Sequence, residues 1–544
     1  VSGSSQRLRA VVMIPGGRSR PRASSGRSFP MAGRRSVMRR RALVTGIAVG
    51  LALLIVPGAS VSANEAARPG DFNGDGIIDL AIGIPGDTIN GHKRAGSIAV
   101  ALGARSGAPT SARLIHQGLA DVPGGAEAGD GFGQVLASAD FNRDGYADLA
   151  IGIPMEAMET TRAAGGVLVC FGSSGGLATA GCQSIGQGYG GVPGSSETDD
   201  HFGSSLAAGD LTGDGFADLV IGSPLEAIET KRAAGSIRIV PGGSSGMNTA
   251  ATTDLNQDSP VVPGAAETDD RYGEGLAVGD IDGDGQADLV VGVSGELVTG
   301  SSDRGGLQVL YGPFRDNKPA RAQAIVAPDV VQAGEFLGTA LVVADFNGDG
   351  PDDIAVGMAE QLVNGDGVAG QVVAFTGDRT GISATRRVII HQDSPGTAGG
   401  TEPEDAFGNA LAAGDFDGDG RADLIAGVRG EDLSTSPAAG AAVVFFGHPQ
   451  STLSTDGSIW IDQDVDPMPD ANNPEDHFGW SVGAADIDGD GRAEAIVGAP
   501  KNGPGGIWII NLDGRAITSP TFRDQASLGL GTGQTESFFG QSLM

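Results

Sequence analysis

Apolar residues along this chain gather in short runs, such as Leu80 to Ile84, Val167 to Phe171 and Ile459 to Ile461, each bounded by Gly, Pro or Asp. Runs of that length between turn residues predict β-strands, and no stretch beyond residue 63 repeats its apolar positions with a helical period. β-Branched residues fall on both faces of the runs, which suits strands sandwiched between neighbouring layers. Another run in each unit is rich in Ala and Gly, as in Leu206-Ala207-Ala208-Gly209, and fits an innermost strand crowded near an axis. Four runs recur per unit, so the expected element is a four-stranded antiparallel blade. The 92 glycines recur at fixed places within the units, so they mark turns rather than a flexible polymer.

Between the first two strands of each unit lies a polar loop, spelled first as Asp71-Phe72-Asn73-Gly74-Asp75-Gly76-Ile77-Ile78-Asp79. Further copies begin at Asp140, Asp210, Asp280, Asp345, Asp415 and Asp486, separated by 69, 70, 70, 65, 70 and 71 residues. Self-similarity at a fixed period marks a repeat architecture. Oxygen-bearing side chains stand at positions 1, 3, 5 and 9, a carbonyl is expected from position 7, and the glycine after position 5 permits a sharp bend. Calcium takes six to eight oxygens in flexible geometry, so such a loop suits that ion. An aromatic-Gly pair stands eight residues before the loop at Phe132, Phe202, Tyr272, Phe407 and Phe478, with a longer variant, Phe336-Leu337-Gly338, in the fifth unit. The first unit lacks this pair, and the chain finishes with Phe538-Phe539-Gly540-Gln541-Ser542-Leu543-Met544. The fold expected is all-β: a seven-bladed β-propeller of four-stranded antiparallel blades, closed by the C-terminal strand, which removes the exposed edges of an open array. A truncated eighth repeat is the competing reading of that last segment.

Charge narrows the partners. The formal net charge is −32, yet residues 1–63 hold eleven arginines and no acid, leaving 67 acids against 24 bases in the rest. Such a surface repels phosphate backbones and sets nucleic acid aside. Residues 1–37 read as a basic leader or an overlong gene start. Residues 38–63, with Arg39-Arg40-Arg41, an apolar run from Ala42 to Val56 and Val61-Ser62-Ala63, read as a secretory signal peptide. The Arg34-Arg35 pair admits a twin-arginine variant, and a membrane anchor is the competing reading, although the run falls short of the ~20 residues a spanning helix needs. Residues 64–544 form the propeller, expected outside the cell, with no stable membrane span and as a monomer. In that compartment Cys170 and Cys182 are candidates for a local disulfide, with free buried thiols as the alternative.

In order and spacing, Phe202-Gly203, the loop from Asp210 to Asp218, and Gly222-Ser223-Pro224 resemble the FG-GAP repeats of the integrin α-subunit propeller and its secreted bacterial relatives. The resemblance covers about residues 64–544. It implies up to seven calcium ions in the loops joining the first two strands of each blade, and a protein or glycan ligand on the opposite face. The side-chain ligands it implies are Asp71, Asn73, Asp75 and Asp79; Asp140, Asn142, Asp144 and Asp148; Asp210, Thr212, Asp214 and Asp218; Asp280, Asp282, Asp284 and Asp288; Asp345, Asn347, Asp349 and Asp353; Asp415, Asp417, Asp419 and Asp423; and Asp486, Asp488, Asp490 and Glu494. Thr212 is a weaker neutral donor, and Glu494 is one methylene longer than the aspartates it replaces. The integrin leg domains and membrane span are missing, so receptor signalling does not transfer.

Other acidic motifs are weaker. Glu197-Thr198-Asp199-Asp200 and its copy at Glu267 precede the aromatics, and Glu156, Glu226, Glu296 and Glu431 follow the loop strand; both sets read first as turn capping and solvation. Asp432-Leu433-Ser434-Thr435-Ser436 matches an adhesion-site pattern but has no room for the inserted domain that pattern needs. Six scattered histidines and many equivalent acids offer no unique catalytic pair, so no enzyme is expected. Trp460, Trp480 and Trp508 read as packing between the last two blades, with a sugar-stacking patch as the alternative. The function expected is an exported, calcium-loaded binding or adhesion module; the alternatives are a lectin-like propeller and a noncatalytic part of an extracellular hydrolase or lyase.

Overall fold

The computed structural model describes residues 66–544 apart from 159–160, 298–303, 326–337, 364–367, 434–435, 532 and 535–536. The leader and signal-peptide readings, and the residues Phe336, Leu337, Ser434 and Thr435, lie outside the described residues. Seven four-stranded antiparallel sheets account for all the described strands. One turn of 3-10 helix, Thr249–Ala251, is the only helix among the described residues, and none is long and apolar enough to cross a membrane.

From inner to outer strand, blade 2 runs Val135–Ala139, Asp148–Ile153, Gly166–Cys170 and Gln183–Ile185. Blade 3 runs Ser205–Gly209, Asp218–Ser223, Ser236–Val240 and Thr253–Leu255; blade 4, Tyr272–Gly279, Asp288–Leu297, Arg304–Tyr311 and Arg321–Ile325. Blade 5 is built from Ala340–Ala344, Asp353–Met358, Gln371–Phe375 and Arg387–Ile390, and blade 6 from Phe407–Gly414, Asp423–Val428, Ala441–His448 and Thr452–Ile461. Blade 7 takes Ser481–Ala485, Glu494–Ala499, Gly506–Asp513 and Ala516–Arg523. Blade 1 joins the two ends of the described chain: Leu80–Ile84, Ser97–Ala101 and Arg113–Ile115 accept Ser542–Leu543 as their innermost strand, with Ile82 opposite Leu543 and Gly83 opposite Ser542. The wheel is closed as expected, and the eighth-repeat reading falls away.

Continuous apolar runs have a direct structural counterpart. The second strand of every blade is buried at each position described, save the half-buried Glu296 near the end of that strand in blade 4, because both of its faces meet a neighbouring blade. The core is accordingly divided into clusters, each spanning one blade junction: Phe132 and Cys170 belong to the cluster between blades 1 and 2, Phe478 and Trp508 to that between 6 and 7, Leu80 and Phe539 to that between 7 and 1. The aromatic-Gly pair is the hinge pin of these junctions. Phe132 is fully buried, its N–H donates to the carbonyl of Ala95 in the preceding blade at 3.0 Å, and the same bond recurs from Phe202, Tyr272, Phe407 and Phe478. Here glycine is required twice over: Gly96 has φ of +85°, and a Cβ on it would lie 2.4 Å from the backbone N and O of Phe132.

Cys170 and Cys182 are joined in a disulfide across the turn between the outer two strands of blade 2. Trp508 is wholly buried against Phe478 and Phe522, ring centroids 5.1 and 4.8 Å away, as the packing reading requires. Trp460 and Trp480 are only half-buried, so that reading holds for one tryptophan of three.

Candidate metal centres and the opposite face

Each loop between the first two strands is wound around its first aspartate. Asp71 accepts the N–H of Asp75 on Oδ1 (3.1 Å) and that of Gly76 on Oδ2 (2.9 Å), and the same two bonds form in all seven loops, down to Asp490 and Gly491 on Asp486. The position-5 aspartate accepts the N–H of position 7 in six loops, at 2.9 Å from Ile77 to Asp75 in the first. In the fifth, Pro351 has no N–H to give. These bonds curl the backbone so that side chains of positions 1, 3 and 9 turn toward one another.

The position-9 carboxylate anchors the loop to the blade. Asp79 is fully buried, accepting the Phe72 N–H on Oδ2 (3.0 Å) and, on Oδ1, the N–H of Gly103, which follows the third strand (2.8 Å). The bond from the glycine 24 residues on recurs in six blades, through Gly172, Gly242, Gly312, Gly377 and Gly447. In blade 7 the Asn511 amide takes that role, donating to Glu494 Oε1 at 2.9 Å and so using the extra methylene.

In blades 4, 6 and 7 the ligand atoms of Asp280, Asp282 and Asp288, of Asp415, Asp417 and Asp423, and of Asp486, Asp488 and Glu494 lie within 4.8 Å of one another. The position-5 residues Asp284, Asp419 and Asp490 are not part of these clusters. In blades 1, 2 and 5 position 3 is Asn73, Asn142 and Asn347, so two carboxylates face each other there with an amide beside them. Asn347 turns its Nδ2 onto Asp353 (3.1 Å). Two arginines reach into this belt: Arg321 donates to Asp282 Oδ2 at 2.7 Å, and Arg515 of blade 7 to Asp417 Oδ2 at 2.8 Å.

These sites fit a hard divalent cation. Asp282 Oδ1 and Thr212 Oγ1 are buried without a hydrogen-bond partner, the state expected of oxygens whose partner is a metal. Burial, reinforced by neighbouring loop carboxylates and opposed by the backbone N–H groups, pushes Asp79, Asp288, Asp353 and Asp423 up to about 7, Asp148 and Glu494 to about 8, and Asp218 to about 6. A bound cation reverses that balance and holds the carboxylates ionised.

The opposite face carries the connections between second and third strands, and here the glutamates have a task other than solvation. Gln117 at the outer edge of blade 1 donates to Glu156 of blade 2 (3.0 Å), Gln187 to Glu226 of blade 3, Gln257 to Glu296 of blade 4, and Gln392 to Glu431 of blade 6 (2.6 Å). Each bond crosses a blade junction, and Gln525 of blade 7 makes the equivalent link to Asp87 of blade 1 at 3.3 Å. Oε1 of Gln117, Gln187, Gln257 and Gln392 is buried without a partner. A protonated carboxyl has a donor to offer that atom; an ionised one has none. Burial pushes Glu156 and Glu226 up to about 7 and Glu431 to about 8. The second acidic motif caps turns as expected: Asp130, Asp200 and Asp405 accept the N–H of Glu127, Glu197 and Glu402.

A pH dependence follows. An acid whose pKa is raised on folding contributes stability that is full below its unfolded value, near 4.5, and is lost as pH rises through the folded value. With calcium saturating, the melting temperature is expected to fall between about pH 4.5 and about pH 8, and Glu156→Gln with Glu431→Gln to flatten that slope. Thermal melts across that range check it; an unchanged slope in the double variant removes these groups as its source.

Five stretches of the chain, residues 132–170, 202–240, 272–310, 407–445 and 478–510, match the FG-GAP repeat model. The chain is 30% identical over 170 residues to the phosphatidylinositol-glycan-specific phospholipase D of Bos taurus, covering 31% of this chain and 19% of that protein. It is 30% identical over 264 residues to integrin alpha pat-2 of Caenorhabditis briggsae, covering 45% of this chain and 19% of that protein. The chain thus spans about a fifth of the length of these curated relatives. Among solved structures, the periplasmic gluconolactonase PpgL of Pseudomonas aeruginosa superposes with a TM-score of 0.41 at 13% identity, covering 82% of this chain and 98% of that one, a likeness too slight to bear on function. The repeat, its seven blades and these relatives together place the chain: it is a β-propeller built of FG-GAP repeats, similar to the propeller of the integrin α subunits.

Proposed function

We propose that this chain is a calcium-loaded binding module working outside the cell, with cations clamping one face and the other face engaging a partner. The observation that carries the reading is the recurrence in every blade of the same loop wound on its first aspartate, with three carboxylates gathered within 4.8 Å in blades 4, 6 and 7 and buried oxygens lacking a protein partner at Thr212 and Asp282. Sites repeated alike around a wheel suit clamps better than a catalytic centre, which needs one distinct constellation. Similarity to integrin α chains supports an adhesive role. Similarity to a phospholipase D that acts on phosphatidylinositol glycans supports a second reading, in which such repeats accompany a hydrolase without performing its chemistry. Within each blade, extracellular calcium would hold loops of the kind that bind at ~10⁻⁴ to 10⁻³ M.

Elemental analysis of protein equilibrated by dialysis against millimolar calcium, with the dialysate's own calcium subtracted, is expected to find at least about four calcium ions per chain, up to one for each of the seven loops. Fewer than about four would contradict the loop assignment. Asp214→Ala is expected to lower the melting temperature by only a few degrees, because six loops survive it. Pull-down from extracellular medium, with calcium and with chelator, tests the binding role, and an activity screen on glycan-anchored lipids tests the second reading.

A further inference from the structure

The repeat supplies its own baseline, against which one place departs. On the face opposite the loops, at the junction of blades 6 and 7, stand Arg429, His477, Trp480 and Lys501. The residues that the other six units place at the Arg429 position are Pro85, Pro154, Pro224, Ser294, Ala359 and Pro500, none of them charged, and those at the Trp480 position include Gln134, Ser204 and Asn409. His477 donates from Nδ1 to the carbonyl of Arg429 (2.9 Å), which leaves Nε2 to accept from the Lys501 ammonium at 3.0 Å. The guanidinium of Arg429 and the ammonium of Lys501 lie 5.2 and 5.7 Å from the centroid of the half-buried Trp480 ring, and His477 meets that ring edge-on at 5.8 Å.

Neither Arg429 nor Lys501 has a carboxylate within ion-pair distance among the described residues, in a chain whose acids outnumber its bases by 67 to 35. Two cations left without counter-ions against one indole mark a place for an anion. Arg429 and His477 also line a groove of about 800 Å³ whose other wall bears Glu360, Glu404 and Asp432. A polyacidic peptide would be repelled by that wall. A uronic-acid saccharide would not: its hydroxyls donate to the carboxylates, its own carboxylate meets the cations, and the C–H face of its ring covers the indole.

We propose that the junction of blades 6 and 7 binds an acidic saccharide, whose carboxylate is held by Arg429 and Lys501 and whose ring lies on Trp480. This rests on the binding-module reading and names its ligand class. His477 is a positioning residue that aims Lys501.

The test is titration of the calcium-loaded full chain with trigalacturonate, followed by calorimetry and tryptophan fluorescence. Binding is expected, with roughly tenfold loss for the methyl-esterified trisaccharide and roughly tenfold for each of Arg429→Gln and Lys501→Gln. Trp480→Phe should abolish most of the fluorescence change, and unchanged melting temperatures show that the variants fold. Equal affinity in the Arg429→Gln/Lys501→Gln double variant, tighter binding of an oligoaspartate of the same charge, or no binding of either overturns the proposal. If trigalacturonate fails while calcium-dependent pull-down of a partner persists in that double variant, the site is wrong and the module stands. If both fail, the module reading falls too.

Discussion

Chelation of calcium is expected to lower the melting temperature by on the order of 10 °C, the largest effect of any solution change. At millimolar calcium a site with a dissociation constant of ~10⁻⁴ M stabilises the folded chain by about 1.4 kcal/mol, and several such sites add. The metal-free loops add a penalty of their own. Position 9 is buried in every blade, and in blades 4, 6 and 7 three carboxylates crowd within 4.8 Å, so without a cation their mutual repulsion and desolvation oppose folding. The loss should be reversed by re-adding calcium and should be smaller with magnesium, which demands tighter octahedral geometry. Differential scanning calorimetry with and without chelator checks this. A melting temperature indifferent to calcium would show that the backbone N–H groups already bonded to Asp71 and Asp79 suffice to hold the loops.

Breaking the closure should rank next. Phe539 is fully buried in the cluster shared by blades 7 and 1, so Phe539→Ala is expected to cost about 3–5 kcal/mol by the usual price of an emptied aromatic site. Removing residues 537–544 goes further. It strips the innermost strand from blade 1, uncovers the edge of Leu80–Ile84 and deprives Ser481 of its acceptor at the Gly540 carbonyl, 2.5 Å away. An uncovered apolar edge invites pairing with other chains. The truncated protein should therefore lose its cooperative melt and elute as aggregates in size-exclusion chromatography, whereas a monomer melting near the parent temperature would mean that blade 1 is complete without its last strand. Urea unfolding of Phe539→Ala measures the smaller step.

Much of this architecture was legible from residues alone because its signals repeat. Seven loops in register and a missing aromatic-Gly pair at one end, supplied at the other, were enough to read blades, number and closure. What escaped the reading were contacts between repeats. Gln117 and Glu156 belong to different units, and each on its own resembles an ordinary loop residue. Only the constant separation of 39 residues, kept by Gln187 and Glu226, Gln257 and Glu296, and Gln392 and Glu431, could have exposed the joint. The 24-residue step from Asp79 to Gly103 was concealed likewise, since glycine has no side chain to announce a partner. Trp480 was misread for a different reason. Its proximity in sequence to Trp508 suggests shared packing, but it stands just before an inner strand while Trp508 lies within a third strand, and only the latter is buried in the core between blades.

Blade 1 draws its strands from both ends of the described chain, and the pairing of Ile82 with Leu543 is held by backbone bonds alone in kind with those of any other blade. The circle consequently has no privileged seam. Linking the regions around Ala67 and Met544, which pack in one apolar cluster, and cutting instead between two other blades should give a rearranged gene whose product adopts the same ring with its entry point moved.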